Sequence, residues 1–286
     1  MILDGHIHTN PGKVDRQAFL GRLKAAGING GAVISISPDS LGISGKKLKA
    51  AERLDNLIAW TGPHPSLYPF FWIDPLEEDA LKQVKAAVMR KVAGFKVICN
   101  RFYPGDRKAM AVYSAIAKAG KPILFHSGIL WDGRNSAKYN RPGEFEALLD
   151  IDGLRFALAH ISWPWCDEHI AVYGKFLNAY TRRPGLSVEM FIDITPGTPG
   201  IYRREALTKL FTVGYDVENN VIFGTDSETN DYNYRWAREW VRRDRLIFKD
   251  IGLGRGVLNK IYSENLLRFV GASGKKVQKR YLRPAE

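Results

Sequence analysis

The chain has 286 residues, 45% hydrophobic and 25% charged, an ordinary globular composition long enough to bury its own core in one domain. Its two cysteines, Cys99 and Cys166, exclude a disulfide framework and fit a reduced, cytoplasmic setting. The formal net charge of +12 suits acidic small molecules or phosphates, and no apolar stretch is long enough to span a membrane.

No basic segment followed by an apolar run opens the sequence, so no secretory signal is expected. The positive charge has two local concentrations. One is Arg235, Arg238, Arg242, Arg243 and Arg245; the other is Lys275, Lys276, Lys279, Arg280 and Arg283. A solvated basic surface accounts for both, so nucleic acid is not an expected partner. Residues 1–273 read as one domain and 274–286 as a basic tail.

The elements alternate along the chain. The first apolar run, Ile2–His8, reads as a strand, and Asp15–Ala26 follows as a helix with Phe19, Leu20 and Leu23 on one face. Strand Gly31–Ser37 precedes helix Lys46–Ile58, and strand Leu67–Ile73 precedes helix Ala80–Arg90. Strand Gly94–Cys99 precedes helix Arg107–Ala119. Strands Pro122–His126 and Arg155–Ile161 come next, then helix Asp167–Tyr180, then strands Leu186–Ile194 and Val221–Thr225. Trp236 and Trp240 lie at i and i+4 in an arginine-rich helical stretch, a pair suited to burying that helix. Such alternation implies a parallel sheet with helices packed on it. Eight strands in this length favour an α/β fold of the single (β/α)8 TIM-barrel type, and no GxGxxG follows the first strand to support a dinucleotide fold.

In a barrel of this kind the chemistry sits at the C-terminal strand ends. Four of the six histidines fall there. His6 and His8 close the first strand two residues apart, so both rings face one side with Cα atoms roughly 6–7 Å apart. That spacing lets two imidazoles converge on one ion. His126 ends the fifth strand, His160 lies near the end of the sixth, and Asp226 follows the eighth. A single histidine after a buried strand is commonly a satisfied core group; five metal-competent residues at one face are a pattern. His64, in Gly62-Pro63-His64-Pro65, and His169, in a helix, read as structural.

This set resembles the amidohydrolase superfamily. Pro122-Ile-Leu-Phe-His126-Ser-Gly128, Ala159-His160, Phe223-Gly-Thr-Asp226 and Ile261-Tyr-Ser-Glu-Asn265-Leu-Leu-Arg268 resemble its amidohydrolase-2 branch. That branch holds metal-dependent hydrolases and the aminocarboxymuconate-semialdehyde decarboxylase type. The resemblance implies one divalent transition metal, zinc first and manganese next, held by His6, His8, His126 and Asp226. It also implies that Asp226 takes a proton from the attacking water. His160 would polarise the substrate or shuttle a proton. Lys96 on the fourth strand stands where binuclear superfamily members carry a carboxylated lysine; here one metal is expected, with Lys96 meeting a substrate anion. Loop residues Arg101, Arg134 and Arg141 can grip a carboxylate or phosphate, and Trp131 and Trp163 can stack on a ring. Glu189 on the seventh strand is expected to face inward as a partner for one of these cations.

The expected activity is hydrolysis of a small ester, lactone or amide by a metal-activated water. Non-oxidative decarboxylation at the same site is the alternative, and an arginine set to hold a second carboxylate would favour it. The expected partner is a small, anionic substrate, with a homo-oligomer compatible and no membrane. A non-catalytic basic barrel is the third reading, and the spacing of five metal-competent residues over four strands argues against it.

Overall fold

A computed structural model describes residues 1–43 and 47–273; the basic tail 274–286 and Lys46 lie outside the described residues. Strands β1 (Asp4–His8), β2 (Gly31–Ile34), β3 (Leu67–Trp72), β4 (Gly94–Val97), β5 (Ile123–Phe125), β6 (Arg155–Leu158), β7 (Glu189–Asp193), β8 (Val221–Ile222) and β9 (Ser227–Glu228) form one curled sheet. Every pairing is parallel, in the order β8-β7-β6-β5-β4-β3-β2-β1-β9. The helices are α1 (Arg16–Ala26), α2 (Ala50–Thr61), α3 (Ala80–Met89), α4 (Arg107–Lys118), α5 (Cys166–Arg182), α6 (Gly200–Thr212), α7 (Tyr234–Asp250), α8 (Arg255–Asn259) and α9 (Asn265–Phe269).

The eight expected strands become nine because the last is interrupted. Residues 221–222 pair with β7, and residues 227–228 pair with β1. Between them, Gly5 N donates to Phe223 O at 2.8 Å and Asp226 N to His6 O at 2.9 Å. Gly224 permits this approach, since a Cβ there would stand 2.3 Å from Thr195 Oγ1 and 2.9 Å from His6 Cβ. After β5 the chain makes 3-10 turns at Ala137–Asn140 and Pro142–Asp150 in place of a regular helix. Helix α6 was not expected: its Gly200-Ile-Tyr-Arg-Arg-Glu start shows no apolar stripe.

Strand side chains alternate between two cores. Ile7, Val33, Phe71, Phe95, Val97, Phe125 and Ile192 pack against the helices. Their neighbours Ala32, Ile34, Phe70, Trp72, Leu124, Ala157 and Phe191 form a second cluster. His6, His8 and Lys96 share the parity of this second set. Phe269 of α9 packs on Phe70 and Phe191, with ring centroids 6.1 Å and 5.0 Å apart, and so fills the N-terminal end. The C-terminal end is left for the polar groups.

No helix is long and apolar enough to cross a membrane among the described residues. Trp240 is buried, as the i, i+4 pair implied, and packs with Trp236 at 5.3 Å. Beneath Trp240, Arg203 of α6 grips Asp244 of α7 through Nε–Oδ1 at 3.0 Å and Nη2–Oδ2 at 2.7 Å, both side chains fully buried. Removing one partner strands a buried charge, which typically costs about 3–5 kcal/mol. Asp244→Ala should therefore lose stability of that order in urea unfolding, and pairing it with Arg203→Met should recover a large part.

Candidate metal centre

Three side chains converge at the C-terminal ends of β1 and the eighth-strand segment. His6 Nε2 and His8 Nε2 are 3.2 Å apart, and Asp226 Oδ1 lies 3.6 Å from the first and 3.3 Å from the second. Their ligand atoms all fall within 4.8 Å of one another. Two ligands at about 2.0–2.1 Å from one tetrahedral ion stand about 3.3 Å apart, so the triplet fits a metal of zinc size. Asp226 enters through a left-handed backbone, φ 59°, which turns its carboxylate out of the strand line.

His6 takes its tautomer from Asp193. Its Nδ1 lies 2.8 Å from Asp193 Oδ2, so Nδ1–H donates and Nε2 keeps its lone pair for an ion. Asp193 is itself held by Thr195, whose backbone N donates to Oδ1 at 2.6 Å and whose hydroxyl also donates there. Burial raises the Asp193 carboxyl above its ordinary value. Asp193 was not singled out from the sequence. The available signal was a lone carboxylate inside the apolar run Phe191-Ile192-Asp193-Ile194.

His126 and His160 complete a buried imidazole cluster. Their ring centroids are 5.1 Å apart, and His160 lies 5.3 Å from His6. His126 stands outside the close triplet, and its Nε2 is buried with no hydrogen-bond partner among the described residues; so is His160 Nδ1. Orphaned buried nitrogens are costly in a dry site and ordinary beside an ion or a substrate. Burial, followed by the Lys96 cation, lowers the His6 pKa; burial lowers that of His126 and takes His160 down to about 4. Neutral imidazoles are the form that binds a metal. Burial alone would raise the Asp226 carboxyl, but the facing histidines, His6 first, hold it well below its ordinary value.

Lys96 is buried, with Nζ 3.4 Å from His6 Nε2. Burial lowers its amine to about 8 despite the opposing pull of Asp193 and Asp226. These groups border a cavity of about 580 Å³ whose wall includes Trp72, Ile98, Leu130, Trp131 and Trp163. Trp131 is 82% exposed at its rim.

The other expected substrate contacts lie elsewhere. Arg101 pairs with the buried Asp74 and donates to Ser40 O at 3.1 Å. Arg134 Nη1 donates to Leu41 O at 3.1 Å. Arg141 holds Glu168 at 2.7 Å and covers the Trp165 ring. None of the three borders the cavity. Glu189 sits at the opposite end of the sheet, where Arg268 Nη1 donates to it at 2.6 Å, so it faces no cation of the loops. His64 lies at that far end as well, accepting from Ser66 N at 3.3 Å. His169 is fully buried in α5 and bonds Ser162 Oγ at 2.7 Å.

The amidohydrolase family model Amidohydro_2 matches residues 30–272. The chain belongs to the amidohydrolase family. The match begins after β1, so the placing of His6 and His8 in this family member rests on the geometry above. The sequence matches no curated protein. Among solved structures, it resembles 2,6-dihydroxybenzoate decarboxylase from Rhizobium, with a TM-score of 0.62, 14% identity, and 96% of this chain and 98% of that one covered. It also resembles a probable 2-pyrone-4,6-dicarboxylic acid hydrolase from Acinetobacter baumannii with citric acid bound, at 0.60, 12%, 94% and 99%. A Burkholderia ambifaria amidohydrolase with bound Zn gives 0.51, 15%, 89% and 67%. At these identities the likeness is one of fold.

Loss of an outer partner of a ligating histidine typically costs 10–100-fold in metal affinity. Asp193→Ala should show a fall of about that size by competition with a chelator of known affinity, with helical content unchanged.

Proposed function

We propose that this amidohydrolase-family protein is a metal-dependent hydrolase of a small ester, lactone or amide. The eighth strand, running from residue 221 to 228, then closes an eight-stranded barrel between β7 and β1. His6, His8 and Asp226 hold one divalent ion, zinc first and manganese next, and His126 completes the set. When bound, the ion supplies Lewis acidity and lowers the pKa of a coordinated water towards about 7.

The chain's own groups supply the rest. Asp226, anionic at neutral pH, accepts the proton of the attacking water. His160, neutral and facing the same space, gives or receives a hydrogen bond at the substrate's reacting oxygen. Lys96 offers a partial positive charge to an anionic substrate group, and the indoles of Trp131 and Trp163 flank its body. The apolar part of the wall, with Trp72, Ile98 and Leu130, lowers the local dielectric, which strengthens each of these contacts.

The observation that carries hydrolysis over decarboxylation is the cavity's charge. Among the described residues, Lys96 is the one lysine or arginine lining it, and Arg101 and Arg141 are committed elsewhere. An arginine set to hold a second carboxylate would favour the decarboxylase reading, and none lines the wall among the described residues. The decarboxylase among the similar structures keeps that reading as the alternative outcome of a substrate screen.

The test is a screen of esters, lactones, amides and aromatic acids, followed by two variants. Asparagine still offers an oxygen to an ion but accepts no proton. Asp226→Asn should keep much of its metal and lose about 10²–10⁴ in turnover. His160→Asn should be slow with normal metal content. Turnover at the unmodified rate by Asp226→Asn, or carbon dioxide release as the sole activity, would overturn the assignment.

A further inference from the structure

The chain after β6 follows an uncommon path. His160, Ile161 and Ser162 are consecutive non-glycine residues with positive φ, 61°, 42° and 53°. L-residues adopt this conformation at a cost, and persist in it only where their surroundings over-determine it. Backbone bonds supply part of the hold: Trp163 N donates to His160 O at 3.0 Å and Trp165 N to Ser162 O at 2.8 Å. The β5 loop is zipped to the same run, with Ile129 N donating to Trp163 O at 3.0 Å. Gly128, φ 106°, makes that approach possible, because a Cβ there would lie 2.4 Å from Trp163 O.

The remaining hold is a buried side-chain series. His169 Nδ1 lies 2.7 Å from Ser162 Oγ, Ser162 Oγ lies 2.7 Å from Ser127 Oγ, and Ser127 Oγ lies 2.8 Å from Asn140 O. All four residues are fully buried. Counting protons fixes the direction. Asn140's carbonyl only accepts, so it takes the Ser127 proton. Ser127 then accepts from Ser162, whose single proton is used there. Ser162 in turn accepts from His169, which places that imidazole's proton on Nδ1. Independently, His169 Nε2 has no hydrogen-bond partner among the described residues, as suits a bare nitrogen better than an orphaned N–H. Burial lowers the His169 pKa to about 3, so the ring is neutral and has one proton to give.

The two ends of this series meet the site. Ser127 directly follows His126, and Ser162 is two residues beyond His160. We propose that the one-way series His169–Ser162–Ser127–Asn140 is a positioning device that holds the backbones of His126 and His160 at their working separation. His169, read from the sequence as structural, thus serves the site through Ser162. Its kinetic consequences rest on the proposed role of His160; the proton arrangement does not.

Two readouts test it separately. In protein labelled with ¹⁵N-histidine, His169 should show the Nδ1–H tautomer in the metal-loaded and metal-free protein alike, unchanged from about pH 8 to about pH 5, since its pKa lies well below that range. Ser162→Ala should alter that signal and shift the ring resonances of His126 and His160. In turnover, His169→Leu and Ser162→Ala should lower kcat by about 10–100-fold with KM little changed. His169→Asn, whose amide N–H can stand where Nδ1–H stood, should recover most of the loss. An Nε2–H or charged His169 at neutral pH would overturn the proposal, as would a His169→Asn variant no better than His169→Leu. Unmodified turnover by His160→Asn would instead refute the role of His160 and leave the tautomer result standing.

Discussion

One buried carboxylate ties together the two chain segments that carry His6, His8 and Asp226. Asp4 accepts from His6 N at 3.0 Å and Thr225 N at 2.9 Å through Oδ1, and from Tyr232 Oη at 2.8 Å and the Thr225 hydroxyl through Oδ2. Burial raises its pKa to about 6, and these donors oppose the rise. A carboxyl with no water around it is tolerable only when its oxygens are met in this way. The consequence is positional: β1 and the segment before Asp226 share one acceptor, so His6, His8 and Asp226 arrive as a group.

The same economy runs through the site. Burial keeps His6, His126 and His160 neutral, and each is held by a group one layer further out. Asp193 orients His6, and Ser127 and Ser162 anchor the backbones beside His126 and His160. Two left-handed residues, His160 and Asp226, fall where the chain leaves a strand and presents a side chain to the cavity. Stability is spent at the C-terminal strand ends and recovered in the apolar layer between sheet and helices, a division expected where loops carry chemistry on a rigid scaffold.

Much of this was legible in the sequence. The alternation His6-Ile7-His8 sends Ile7 to the helices and both histidines to the other face, although the register irregularity between Asp4 and Ile7 puts Leu3 on the histidines' side. Lys96 between Phe95 and Val97 follows the same rule. The loop arginines could not be placed, because charge and position in sequence do not say which carboxylate a long side chain will reach; Asp74 and Glu168 took Arg101 and Arg141. Asp193 and Asp4 were missed for a related reason. A buried carboxylate declares its purpose only through its donors, and the deciding ones lie far away in sequence: the His6 ring for Asp193, and Thr225 and Tyr232 for Asp4. The break in the eighth strand likewise depends on a tertiary contact, the approach of Gly224 to Thr195 and His6.

The central claim is a single nitrogen-and-oxygen metal centre at His6, His8 and Asp226, with His126 beside them. X-ray absorption at the metal edge of the loaded protein tests it most directly. Only nitrogen and oxygen at about 2.0–2.2 Å should surround the ion, with outer imidazole scattering that diminishes in His8→Ala. A sulfur ligand from Cys99 or Cys166, or a spectrum unchanged in His8→Ala, would contradict it.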